Sequence, residues 1–277
     1  MYNLWQWMIG LLPFDWAHYG FMQHALLAVL LVSFLYGLLG AMVINQQMAF
    51  FSDAIGHAAL TGIAIGVLAG LADPLWAMIV FAVLLAVGIS LLRRFSQTST
   101  DTTIGLFMSF AVALGVVILS RGGGFARYSS YLIGDVLSIT RPEITRLLLL
   151  LAGILAFWSV SFNRMMLASL NPSLAHSRGI NVALLEVLFS VIVAVLGTVS
   201  IQWVGMLVIN SLLILPAAAA RNLSRNTRQY VWISIVISLL SGILGLLCSY
   251  YWATATGATI VLFAMGFYLV SLAGVRR

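Results

Sequence analysis

The sequence predicts an all-α, polytopic integral membrane protein with eight or nine transmembrane helices. Three observations predict it. Hydrophobic residues make up 62% of the 277 positions and charged residues 7%, where a soluble domain carries about 25% charged. Mean hydropathy is +1.10. The apolar residues fall into runs of about 17–23 residues, long enough to cross a bilayer as helices. A backbone placed in lipid must satisfy its own hydrogen bonds, so such runs are helical.

The first 20 residues differ from the rest. Trp5, Trp7, Phe14 and Trp16 surround Pro13. They suit a membrane interface, so residues 1–20 are expected to form an interfacial segment and residues 21–277 the transmembrane domain. A basic start and a small-residue cleavage site are both lacking there, so no cleavable signal peptide is expected. Spans are placed at 22–44, 54–71, 75–92, 103–119, 143–161, 182–199, 203–220, 229–250 and 256–274. The 203–220 run holds Pro216 and follows closely on its predecessor. It is either a full crossing or a broken, re-entrant element, which leaves the total at eight or nine.

All thirteen basic residues are Arg. Without Lys there is neither a P-loop lysine nor Schiff-base chemistry. The net charge of +6 does not point to nucleic acid, because the Arg residues sit in short loops between apolar runs. With nine spans, Arg93, Arg94, Arg164, Arg178, Arg221, Arg225, Arg228, Arg276 and Arg277 share one side. Arg121, Arg127, Arg141 and Arg146 share the other. The richer side is expected to be cytoplasmic, with the N-terminus outside. The lone Cys248 lies in an apolar run and permits no internal disulfide. Gly37 and Gly40, Gly62 and Gly66, and Gly242 and Gly245 stand at the spacing that lets helices approach closely.

Asp53 and His57 stand out as candidate metal ligands. Four residues apart on a helix, they share a face about 5–6 Å apart at Cβ. A carboxylate with an imidazole suits Mn, Fe or Zn, and ionisable residues within a span face a pore or a partner. The alternative is structural: a pair tying two helices, or an N-cap from Ser52 or Asp53. Further ligands are not fixed by spacing. Asn210, Gln202, Glu186 and His24 are candidates, each also readable as an interhelical packing residue. Asp135 reads as the cap of a short helix. Asn171-Pro172 through Gly179 reads as a short cytoplasmic helix that carries His176 and Arg178. Leu215 through Arg221, leading into the Arg-rich loop to Arg228, is a second candidate docking element.

Several blocks in order resemble one family. Met48 through Leu60 is similar to M-x-x-x-G-D-x-x-x-H-A-x-L. Asp101 through Gly105 and Tyr131 through Asp135 resemble two further blocks. Asn171 through Gly179 is similar to D-P-E-x-A-x-x-x-G, and Gly205 through Arg221 to G-x-L-L-x-x-x-L-L-x-x-P-A-A-x-A-R. The family is that of the ABC-3 permeases, the membrane subunits of ABC importers for zinc, manganese and iron. Similarity runs from about Phe21 to Ala273. Ser52 replaces the family's Gly, Ser173 its Glu, and Gln46 and Gln47 stand where basic residues are common.

The resemblance implies a homodimeric permease in the inner or plasma membrane of a bacterium. Its partners would be a cytoplasmic ABC ATPase subunit, which hydrolyses the ATP, and an extracytoplasmic metal-binding protein. Asp53 and His57 would line the path of transported Mn2+, Zn2+ or Fe2+, with no permanently bound cofactor. The alternative is a secondary transporter or channel acting without an ATPase. An intramembrane protease is disfavoured, because H-E-x-x-H is absent and His18, His24, His57 and His176 are dispersed.

Overall fold

The computed structural model describes residues 18–71, 73–95, 98–122 and 134–274. The expected interfacial segment 1–20 lies almost wholly outside them, as do Tyr131, Leu132, Ile133, Arg127, Arg276 and Arg277. Among the described residues ten α-helices follow in chain order: α1 (Gly20–Asn45), α2 (Phe51–Leu68), α3 (Leu75–Phe95), α4 (Thr100–Gly122), α5 (Arg141–Leu170), α6 (Pro172–Ser177), α7 (Val182–Val204), α8 (Met206–Leu223), α9 (Thr227–Trp252) and α10 (Thr256–Leu272). Among the described residues, eight helices are long and apolar enough to cross a membrane, and the 17-residue α10 is a shorter apolar helix.

From Met206 onward the 203–220 run lies in one unbroken helix, α8. The preceding span does not stop at residue 199; α7 runs on to Val204 and the break falls on Gly205. Gly205 has φ 81° and ψ 155°, backbone that only glycine adopts without strain. Its neighbour Gly134, also at positive φ, must be glycine for a second reason, since a Cβ there would strike the Val204–Gly205 backbone. Pro216 lies inside α8, buried, without ending it.

Close approaches order the bundle. Gly37 meets the α9 backbone at Ile235, 2.8 Å from where a Cβ would stand, and Ser234 Oγ donates to the Gly37 carbonyl at 2.7 Å. Gly40 lies against the Leu213 carbonyl of α8, and Gly245 against Ile260 of α10. On the other side, Gly62 meets Met78 of α3, and Gly115 of α4 meets Thr61 of α2. Two helix groups result: α1 with α8, α9 and α10, and α2 with α3, α4 and α7. Helix α5 leans on α1 and α7. In lipid the apolar effect does not drive helices together, so such small-residue contacts and hydrogen bonds hold the packing.

Helix ends meet in pairs. Arg93 Nη2 donates to the Gln46 carbonyl at 3.5 Å, joining the end of α3 to the end of α1. Asn45 of α1 contacts Met166 near the end of α5, and Asn222 Nδ2 donates to Ser271 Oγ at 2.9 Å, joining the ends of α8 and α10.

Two substitutions test the packing. Gly40→Ala and Gly205→Ala should each cost about 1–3 kcal/mol, through overpacking and backbone strain respectively. Gly153→Ala, with open space around it, should be neutral or slightly stabilising. Thermal unfolding of the purified protein in detergent reads all three.

Candidate functional site

Helix α2 starts one short turn after α1, its N-cap being Phe50 with no side-chain cap bond. The Ser52 or Asp53 cap expected as an alternative is not formed. Asp53 instead reaches across to α8, accepting a hydrogen bond from Asn210 Nδ2 on Oδ1 at 2.7 Å. Met206, one turn earlier on α8, lies against Gly56, so α2 and α8 run antiparallel here. The Asp53–Asn210 bond therefore crosses the seam between the two helix groups.

Along α2 the face carrying Asp53, His57 and Leu60 is half-buried, while Ser52, Ala54, Ile55, Gly56, Ala58 and Ala59 are buried. The 3.6-residue period thus puts both ionisable side chains on one open stripe of a helix whose other side chains are buried as far as Ala64. Beside it, α8 presents Leu207, Asn210, Ser211 and Ile214, with Leu207 54% exposed. His57 has no hydrogen-bond partner among the described residues, so its ring nitrogens are available to a ligand. Among those same residues, no group of three or more His, Cys, Asp or Glu side chains converges.

The other candidates lie elsewhere. Gln202 Nε2 sits 3.9 Å from Met78 Sδ, where α7 meets the start of α3. Glu186 and His176 line an open groove between α6 and the start of α7. His24 lies at the start of α1. None of the three places is the α2–α8 seam, and only Asn210 joins Asp53. The sequence offered Asn210 as one of four candidates but had no signal to separate it from the rest, because contact across 157 residues depends on tertiary packing.

Two expected local structures form. Asp135 Oδ1 accepts from the Leu137 N–H at 3.1 Å and caps a 3-10 turn over Val136–Ser138. Asn171 Oδ1 accepts from the Leu174 N–H at 3.0 Å to start α6, which ends at Gly179 with φ 71°. Short α6 links the ends of α5 and α7, on the side where Arg93 and Arg164 lie. The 217–221 stretch is helical and belongs to the end of α8.

The model of the ABC 3 transport family matches residues 18–274. The chain belongs to that family. It is 31% identical over 257 residues to the high-affinity zinc uptake system membrane protein ZnuB of Haemophilus influenzae, covering 90% of this chain and 95% of that one. It is 27% identical over 253 residues to the manganese transport system membrane protein MntC of Listeria innocua, covering 91% and 90%. The fold matches the solved structure of PsaBC from Streptococcus pneumoniae in complex with Fab, with a TM-score of 0.80 and 28% identity over 98% of this chain and 95% of that one. The chain is thus a multi-pass membrane protein of the permease type.

The bond across the seam has a measurable structural share. Asp53→Leu leaves the Asn210 amide without its acceptor and should cost about 1–3 kcal/mol. Asp53→Asn keeps an acceptor oxygen and should cost less than half as much. Comparing their thermal midpoints separates the tie from any role of the charge.

Proposed function

We propose that this chain is the membrane-spanning permease of an ABC importer for a divalent transition metal. In this reading Asp53 and His57 are the ligands it lends to the metal path. The carrying observation is the open stripe on α2. A carboxylate and an imidazole four residues apart are held on a largely buried membrane helix, with one carboxylate oxygen already engaged by Asn210. Facing lipid, that stripe would be costly; facing a second copy, it closes a polar path. Two copies related by a two-fold axis bring four ligands, two oxygens and two nitrogens, where one chain brings two. Such a set suits Zn2+, Mn2+ or Fe2+. The import of zinc and of manganese named for the ZnuB and MntC relatives supports the same class.

Partners follow from the same reading. The groove between α6 and α7, lined by His176, Gly179, Asn181 and Glu186, and the exposed turn over residues 221–228 offer a cytoplasmic ATPase two rigid contacts. A push on α6 reaches α7 directly, and α7 meets α8 at the Gly205 pivot, next to Asn210. ATP hydrolysis belongs to that separate subunit, and an extracytoplasmic metal-binding protein delivers the ion from the opposite side. The metal is cargo: it is held long enough to pass and then released.

The test is uptake of Mn, Zn and Fe, read by elemental analysis, in cells expressing the chain with its ATPase and binding protein. Asp53→Asn and His57→Ala should each lower uptake at least tenfold at unchanged protein level. Uptake equal to wild type in both would return the pair to a structural role. Transport that survives loss of the ATPase would favour a secondary transporter.

A further inference from the structure

The orientation of the Asn210 amide is fixed by chemistry. A carboxylate only accepts, so the amide nitrogen and not its oxygen must face Asp53. Asn210 Oδ1 is consequently turned away, and it is buried with no hydrogen-bond partner among the described residues. A residue selected for helix packing alone gains nothing from such an orphaned oxygen. The bond occupies Asp53 Oδ1. Oδ2 has no hydrogen-bond partner among the described residues and is not one of the buried polar atoms without one, so it is the oxygen open to a ligand.

We propose that Asn210 is a positioning residue that holds Asp53 to coordination through one oxygen, and that it thereby biases the site toward a four-coordinate ion, Zn2+ over Mn2+. The proposal rests on the reading of Asp53 and His57 as ligands. With each carboxylate limited to one oxygen, two copies give two oxygens and two imidazole nitrogens, a tetrahedral set of the kind zinc takes. With Oδ1 freed, each carboxylate can chelate through both oxygens. The site then gains oxygen donors and coordination number, which favours manganese. Groups that orient a metal's ligands typically contribute about 10–100-fold to affinity.

Metal binding by the full chain, purified in detergent and titrated with Zn2+ and with Mn2+, tests this, with Co2+ as a spectroscopic probe of geometry. In Asn210→Leu, Zn2+ affinity should fall about 10–100-fold and Mn2+ affinity much less. The intense visible bands of four-coordinate Co2+ should weaken toward those of a higher-coordinate ion. Asn210→Gln, which keeps the donor, should restore part of the zinc preference. If the leucine variant does not fold, Asn210→Ala, which adds no bulk, takes its place.

Unchanged affinities and an unchanged Co2+ spectrum in the leucine or alanine variant overturn the proposal. So does an equal loss for both metals that leaves the spectrum as it was and is not rescued by Gln, the mark of a packing role. The double variant Asp53→Ala/His57→Ala is titrated alongside. Wild-type binding there removes the ligand reading itself, whereas lost binding there with a silent Asn210 variant removes only the present proposal.

Discussion

A carboxylate in the first turn of a membrane helix has to be matched by a partner, and here the match is made between helices. Asp53 of α2 accepts from Asn210 of α8. Around that bond the chain is organised as two groups of helices, one built on α1 and one on α2, which meet at the seam it crosses. Neither group could shift far without lengthening the bond. The same seam carries the break at Gly205, where α7 hands the chain to α8 through a conformation reserved for glycine.

The packing that holds each group has little to do with expelling water. Gly37, Gly40, Gly62, Gly115 and Gly245 let backbones touch, and Ser234 and Thr61 donate across helices to carbonyls on their neighbours. These are short-range and geometrically exacting contacts, so the helices sit in defined registers. That precision matters for the stripe on α2. A rotation of about 100° per residue would carry Asp53 and His57 from the open face into the contacts with α3 and α4. The glycines therefore position the polar face as well as the bundle.

Much of this was legible in the sequence. Runs of apolar residues gave the spans because lipid leaves the backbone no other solution. Asn171-Pro172 and Gly179 marked both ends of α6, since a side-chain acceptor and a residue free to take positive φ are local requirements. Asp53 and His57 declared themselves by their i, i+4 spacing. The α7–α8 junction was misplaced by several residues because Ser200, Ile201 and Gln202 carry no helix stop, and the decisive feature is the φ of a single glycine. Asn210 could be named but not chosen. Nothing local distinguishes it from Gln202 or Glu186, and only the antiparallel packing of α2 on α8 brings it to Asp53.

The central claim is that the open stripe on α2 faces a second copy of the chain across the metal path. Cysteine cross-linking in native membranes tests it most directly. With Cys248→Ala as background, leaving no other thiol, His57→Cys should form a disulfide-linked dimer under mild oxidation. Leu84→Cys and Leu262→Cys, on the outward faces of α3 and α10 and 65% and 71% exposed, should not. Efficient cross-linking at position 84 or 262 and none at 57 would contradict the account, by placing the stripe away from the partner copy.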